Sequence, residues 1–464
     1  MKSKPITFAS AAVLALGLCA GVTHAETAVA DTAADTVEAV ETLSPVEAAA
    51  AAHKAAFQAM RDAGKWPSME DRTAMANDAL ADLDPATLSV SDMETLFASI
   101  PVVYSDHGEV YDARLAELAQ GDSPEAARAA SLRFHLLSRD TPSSQRAQML
   151  GDLFQMPGLV EAWKQGKAYD GFGSFGRLDP DQIITLQPDF VALGSQGTAE
   201  MPPMFFSRMA SAFYAFARAE AEGSAEAREP LRVSLVEAIE ANLADTDAEL
   251  SEQDTKRLTG ARDRLNGAYA RGKLVGHTAP ELNFLWWSNP NDANESYAKL
   301  SDLKGKVVVV DFWATWCGPC IGSFPNVKEL QAHYDGYDVV IVGVTSIQGN
   351  HYSGDERGKI DCTDDPDKET GLMPEFMQAK DVTWRIAFAE EPVYNHDYGV
   401  NGIPHVAIID TEGLVRYRGL HPAQPMEGKT SKIDELLAEA GLPVPAAPVT
   451  QEPEEEAAAS ANTE

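Results

Sequence analysis

Residues 307–320 read Val-Val-Val-Val-Asp-Phe-Trp-Ala-Thr-Trp-Cys-Gly-Pro-Cys, and no other stretch restricts the fold so tightly. Four consecutive β-branched side chains disfavour a helix, and an unbroken apolar run is the pattern of a strand buried on both faces. That strand delivers Trp316, Cys317, Gly318, Pro319 and Cys320 to its C-terminal end. Downstream, Phe324, Val327, Leu330 and Tyr334 recur at helical spacing, which predicts a helix over 323–334 and puts the cysteines on the turn that opens it.

A cysteine at a helix start has unpaired N–H groups and the positive end of the helix dipole to stabilise its thiolate, the nucleophilic form. A second thiol three positions on is within reach. The pair can close a disulfide, and when reduced Cys320 can resolve a mixed disulfide formed on Cys317. Pro319 stiffens the turn, and Gly318 removes side-chain bulk where another polypeptide approaches. The competing readings are a zinc site and an inert disulfide. Zinc normally takes four ligands, and no second CxxC or HxxxH follows.

Three separated stretches carry a family resemblance: the Trp-Cys-Gly-Pro-Cys motif with the Asp-Phe-Trp-Ala-Thr before it, residues 275–284 with 300–306, and residues 399–413. Together they resemble the thioredoxin superfamily, specifically extracytoplasmic thiol–disulfide oxidoreductases of the TlpA/ResA type. The resemblance implies an α/β thioredoxin-like domain over 271–441, a central mixed sheet flanked by helices, with no cofactor. It implies that Asp311 is a buried proton acceptor for Cys320, and Ser323 stands where such proteins often carry a glutamate. It implies a cis peptide before Pro404, with Trp316, Gly318, Pro319, Ile403 and His405 around the incoming substrate. His405 takes a place often held by threonine.

The 464 residues exceed what one core usually organises, so two domains are expected. The net charge of −34 argues against nucleic acid or an anionic membrane as partner. Lys2 and Lys4, an apolar run over 9–22 and Thr23-His24-Ala25 read as a secretory signal at 1–25, whose removal also removes Cys19. A lipobox at Leu16 to Cys19 is the alternative, although Leu18 is large for that position. Residues 26–44 and 442–464 have the composition of a disordered spacer and a disordered acidic tail. Export points to an oxidising compartment, in which a CxxC protein either donates disulfides or is kept reduced by a dedicated supply of electrons.

Between 45 and 270 the pattern is helical throughout, predicting an all-α domain, with Ser44-Pro45, Ser123-Pro124 and Thr141-Pro142 as start signals and Gln187-Pro188 and Pro230 as boundaries. Gly171, Gly173 and Gly176 spell a dinucleotide-loop pattern without the preceding strand such a loop needs, and read as a flexible loop. The Met and aromatic run over 201–216 has the spacing of a buried helix face. In the second domain a hairpin is expected from 282–287 and the region of Tyr297. A polar loop over 346–366, holding His351, Asp355, Asp361, Cys362, Asp364 and Asp365, is expected beside the active site; no spacing rule makes it a metal site.

The reading is an exported disulfide reductase or interchange enzyme acting on protein thiols and disulfides, for example in cytochrome c maturation or envelope thiol maintenance, re-reduced by a membrane-derived donor. Three alternatives are a partner-binding helical protein with an accessory redox domain, a thiol peroxidase and a disulfide oxidase. The peroxidase pattern needs Thr three positions before its cysteine, and Thr315 is two before Cys317.

Overall fold

The computed structural model describes residues 43–196, 200–219, 223–246, 249–353 and 358–445. The expected signal, Cys19, all but the last two residues of the spacer, Asp355 and most of the acidic tail lie outside them. Residues 45–266 are helical: α1 (Pro45–Asp62), α2 (Met69–Leu80), α3 (Val90–Ser99), α4 (Gly108–Leu118), α5 (Pro124–Leu132), α6 (Ser143–Phe154), α7 (Leu159–Lys164), α8 (Pro180–Gly194), α9 (Pro203–Ala219), α10 (Ser224–Ala244) and α11 (Glu252–Asn266). Ser123 caps α5 by accepting the Ala126 N–H, as its Ser-Pro signal predicts. Phe205, Phe206, Met209, Phe213 and Phe216 of α9 are all buried, forming the apolar face expected of that run.

Several local expectations fail here for tertiary reasons. Pro188 and Pro230 lie inside α8 and α10 instead of bounding helices. Both helices extend because a buried network ties them, with the Ser224 hydroxyl donating to Gln187 Oε1 at 2.9 Å and Arg228 donating to Ser224 Oγ at 2.7 Å. Helix α6 starts after Pro142, not at it, so Thr141 is no cap. Residues 170–177 form a 3₁₀ helix with Phe172 and Phe175 buried, in place of the expected flexible loop. Large apolar side chains between the glycines pull the segment into the core.

The α/β part carries β1 (Phe284–Ser288), β2 (Val307–Phe312), β3 (Val339–Ser346), β4 (Asn350–Tyr352), β5 (Lys359–Asp361), β6 (Arg385–Ala389), β7 (His405–Ile409) and β8 (Val415–Leu420). Its helices are α12 (Gly318–Gly322), α13 (Phe324–His333), α14 (Pro366–Gly371), α15 (Met373–Ala379) and α16 (Met426–Glu439). Six strands make one mixed sheet in the order β1-β6-β3-β2-β7-β8. Strand β2 lies centrally, parallel to β3 and antiparallel to β7, and all six of its residues are buried. The expected leading hairpin is absent among the described residues. β1 pairs with β6, and its approach to the Tyr297 region is a lone bridge from Asn283 to Lys299.

Alternation along β2 divides the core. Val307 and Val309 share one cluster with Cys317, Cys320, α13 and α16, while Val308, Val310 and Phe312 face a second cluster that includes Tyr214, Ala217, Tyr269 and Ala270 from the helical part. The helical part therefore covers some of the sheet itself. Two glycines permit the approach. A Cβ on Gly267 would stand 2.4 Å from the His396 carbonyl oxygen, and one on Gly399 would stand 2.3 Å from the Tyr269 ring.

Candidate active site

Strand β2 ends at Phe312, and the chain passes buried Trp313, Ala314 and Thr315 before it exposes Trp316. Cys317 is the N-cap of α12, and its sulfur accepts the Cys320 N–H at 3.2 Å. The two sulfurs form a disulfide. The helix expected over 323–334 is α13, and the turn that opens it is itself the short helix α12, separated from α13 at Ser323, whose hydroxyl donates to the Cys320 carbonyl at 2.7 Å. Ile403-Pro404 is a cis peptide, and the Ile403 carbonyl oxygen lies 3.7 Å from Cys317 Sγ. Gly318 and Pro319 are exposed beside the sulfurs. Cys317 thus adjoins exposed Trp316 along the chain and the Ile403 carbonyl across it.

Asp311 is only 3% exposed, and its Oδ1 finds no hydrogen-bond partner among the described residues. Burial pushes its pKa from 3.8 up to about 8, against the opposing pull of the Lys429 ammonium. Lys429, on α16, is itself 3% exposed and borders the same small apolar cavity as Asp311, donating to the Pro422 carbonyl. Sequence patterning carries no sign of this lysine, since it lies on a helix face that reads as amphipathic. A carboxyl with a pKa near neutrality on the disulfide side of the sheet is chemically fitted to exchange a proton with a thiol.

The sequence profile of the Redoxin family matches residues 274–437. The chain is 31% identical over 146 residues to thioredoxin-like protein YneN of Bacillus subtilis (strain 168), covering 31% of this chain and 71% of that one. It is 35% identical over 150 residues to thiol-disulfide oxidoreductase ResA of the same organism, covering 32% of this chain and 70% of that one. The chain belongs to the ResA-like thiol–disulfide oxidoreductases. It is also 26% identical over 165 residues to thiol:disulfide interchange protein HelX of Rhodobacter capsulatus, covering 36% of this chain and 78% of that one. The Redoxin match leaves the helical part outside.

In this ResA-like domain several supports have no sequence motif. Glu369 is 3% exposed, and its carboxylate accepts the Gln348 N–H at 3.0 Å and the Gly349 N–H at 2.8 Å. Gln348 in turn accepts the Trp316 indole N–H at 2.6 Å. A buried acid on α14 thereby fixes the aromatic next to Cys317. The polar segment after β3 does flank the site, but as the β4-β5 hairpin, and its Tyr352 N–H donates to Thr315 Oγ1 at 3.1 Å. Cys362 and His351 are buried in this hairpin region, and burial raises the Cys362 thiol pKa. Among the described residues, no three His, Cys, Asp or Glu side chains are grouped to hold a metal.

His405 is turned to the other side of the sheet from Asp311, its ring 6.2 Å from Phe312. Burial, aided by Arg418, lowers its pKa to about 3, so it stands neutral. The structure brings together Cys317, Cys320, Trp316 and Ile403, buries Asp311 on the face of the sheet that packs against the cysteines, and directs the His405 ring elsewhere.

Proposed function

We propose that this chain is an exported disulfide reductase or interchange enzyme for protein substrates, with Cys317 as nucleophile, Cys320 as resolving thiol, Asp311 as proton acceptor and the Ile403-Pro404 backbone as docking edge. The observation that carries this is the Cys317–Cys320 disulfide beside the Ile403 carbonyl. Starting from the dithiol, the Cys317 thiolate attacks a substrate sulfur, forms a mixed disulfide and expels one substrate thiolate. Asp311 takes the Cys320 proton. The Cys320 thiolate then attacks Cys317 Sγ, releasing the second substrate thiolate and leaving the oxidised pair seen here. Two electrons pass to the substrate, so a dithiol donor must restore the enzyme, and export would make that donor membrane-derived. Among the described residues no helix is long and apolar enough to cross a membrane. Division into a helical domain at 45–270 and a redoxin domain at 271–441 is part of the same proposal.

Alkylation of the reduced protein at mildly acidic pH should label Cys317 first, because its sulfur accepts a backbone N–H at the start of α12 and adjoins exposed Trp316. A Cys320→Ser variant should accumulate mixed disulfides with envelope proteins through Cys317. Faster labelling of Cys320, or no trapped species, would remove the role assignment.

A further inference from the structure

We propose that a cavity between the helical part and residues 269–275 binds a small molecule carrying a phosphate group on an apolar body. The cavity is open to solvent and measures about 360 Å³. Phe216, Tyr269, Leu274 and Val275 give it an apolar wall, and the start of α10, from Ser224 through Glu226, gives it a polar one. Gly223 precedes that helix with φ of +73°, and no side chain caps the helix start. The N–H groups of the first turn therefore lack helical acceptors, and the positive end of a 21-residue helix borders the cavity.

Arg228 supplies a second, independent set of donors. It lines the same cavity and is 2% exposed. Helical side chains lean toward the N-terminus, and its Nη1 donates back to Ser224 Oγ at 2.7 Å and to Gln187 Oε1 at 3.4 Å, which fixes the guanidinium beside the first turn. Nε has no hydrogen-bond partner, and Nη2 makes no hydrogen bond among the described residues. Two adjacent N–H donors on one edge are the arrangement that forks onto an oxyanion. No carboxylate pairs with Arg228 among the described residues: Glu229 pairs with Arg232 at 2.7 Å, and Glu226, the carboxylate in the lining, is exposed to solvent. Burial accordingly disfavours the charged guanidinium and pulls its pKa below the ordinary arginine value. A phosphate has three oxygens, enough to meet the guanidinium and the helix N–H groups together, whereas a carboxylate has two in one plane.

Isothermal titration of the full-length protein with phenyl phosphate at low salt tests this. One molecule should bind per chain, about tenfold tighter than benzoate, the factor that one additional charge-assisted hydrogen bond supplies. Arg228→Gln should weaken phenyl phosphate binding by about tenfold or more. Ala225→Glu puts a carboxylate into the cavity at the first turn of α10, where an acid favours the helix, so the fold is kept. It should weaken binding by about the same factor even if the arginine variant fails to fold. Phenyl phosphate should also raise the melting temperature of the wild type, because binding to the folded state alone stabilises it, and should leave that of Ala225→Glu unmoved. Absence of saturable binding, equal affinity for benzoate and phenyl phosphate, or a Kd that Ala225→Glu does not change would each overturn the proposal.

Discussion

At the scale of single residues, Asp311 has the largest consequences for chemistry and stability alike. Its carboxyl titrates near 3.8 in the unfolded chain and at about 8 in the folded one. An acid whose folded pKa is raised contributes its full share of stability below the unfolded value, and that share is lost as pH climbs toward the folded value. Asp311→Asn should therefore melt higher than wild type, by a margin that grows between pH 4 and pH 8 and then levels off. The limit is on the order of a few kcal/mol. Turnover of insulin disulfides by the same variant should slow, with a flattened pH profile between 6 and 9. Unchanged turnover and profile would show that the proton goes elsewhere. Lys429→Met should move the Asp311 pKa further up, since the ammonium opposes the effect of burial. An unchanged pH profile would mean that the two groups are not coupled.

At the scale of elements, the link from α14 through residues 348–350 to Trp316 makes a stability prediction. Glu369→Ala leaves the backbone N–H groups of Gln348 and Gly349 without their acceptor, a loss of about 1–3 kcal/mol. The variant should melt lower and show altered Trp316 fluorescence; an unchanged spectrum would mean that Gln348 holds the indole unaided. Such links explain what the sequence conceals. Strands β2 and β3 are legible because apolar β-branched residues in an unbroken run leave few other structures open. The cysteine pair and Pro404 are legible because their spacing and flanks are specific. Glu369 and Lys429 are not, since a buried charge is recognisable only once its tertiary surroundings exist. Pro188 and Pro230 mislead for the same reason: the Gln187-Ser224-Arg228 network overrides their local preference.

At the scale of the whole molecule, the helical and redoxin parts meet at the segment leading into Pro404. The Tyr269 N–H donates to the Asp397 carbonyl at 3.1 Å, the Ala268 N–H to the Asp397 carboxylate at 2.8 Å, and the Tyr214 hydroxyl to the His396 carbonyl at 3.3 Å. A fragment of 271–441 lacks all of these. It should fold on its own six-stranded sheet, but melt below the full chain and reduce insulin more slowly, because the 395–404 loop has lost its brace. Equal melting and turnover would make the helical part a bystander.

The two close-contact glycines carry a further consequence for protein engineering and for descent. Grafting this helical part onto another redoxin would succeed only where the recipient offers a glycine equivalent to 399, because any larger residue there drives its Cβ into the Tyr269 ring. The seam at 267–272 and the loop at 396–399 thus form a single inheritable unit. Recombination at the apparent domain border would separate its halves, so the two parts of this chain are expected to be exchanged together or not at all.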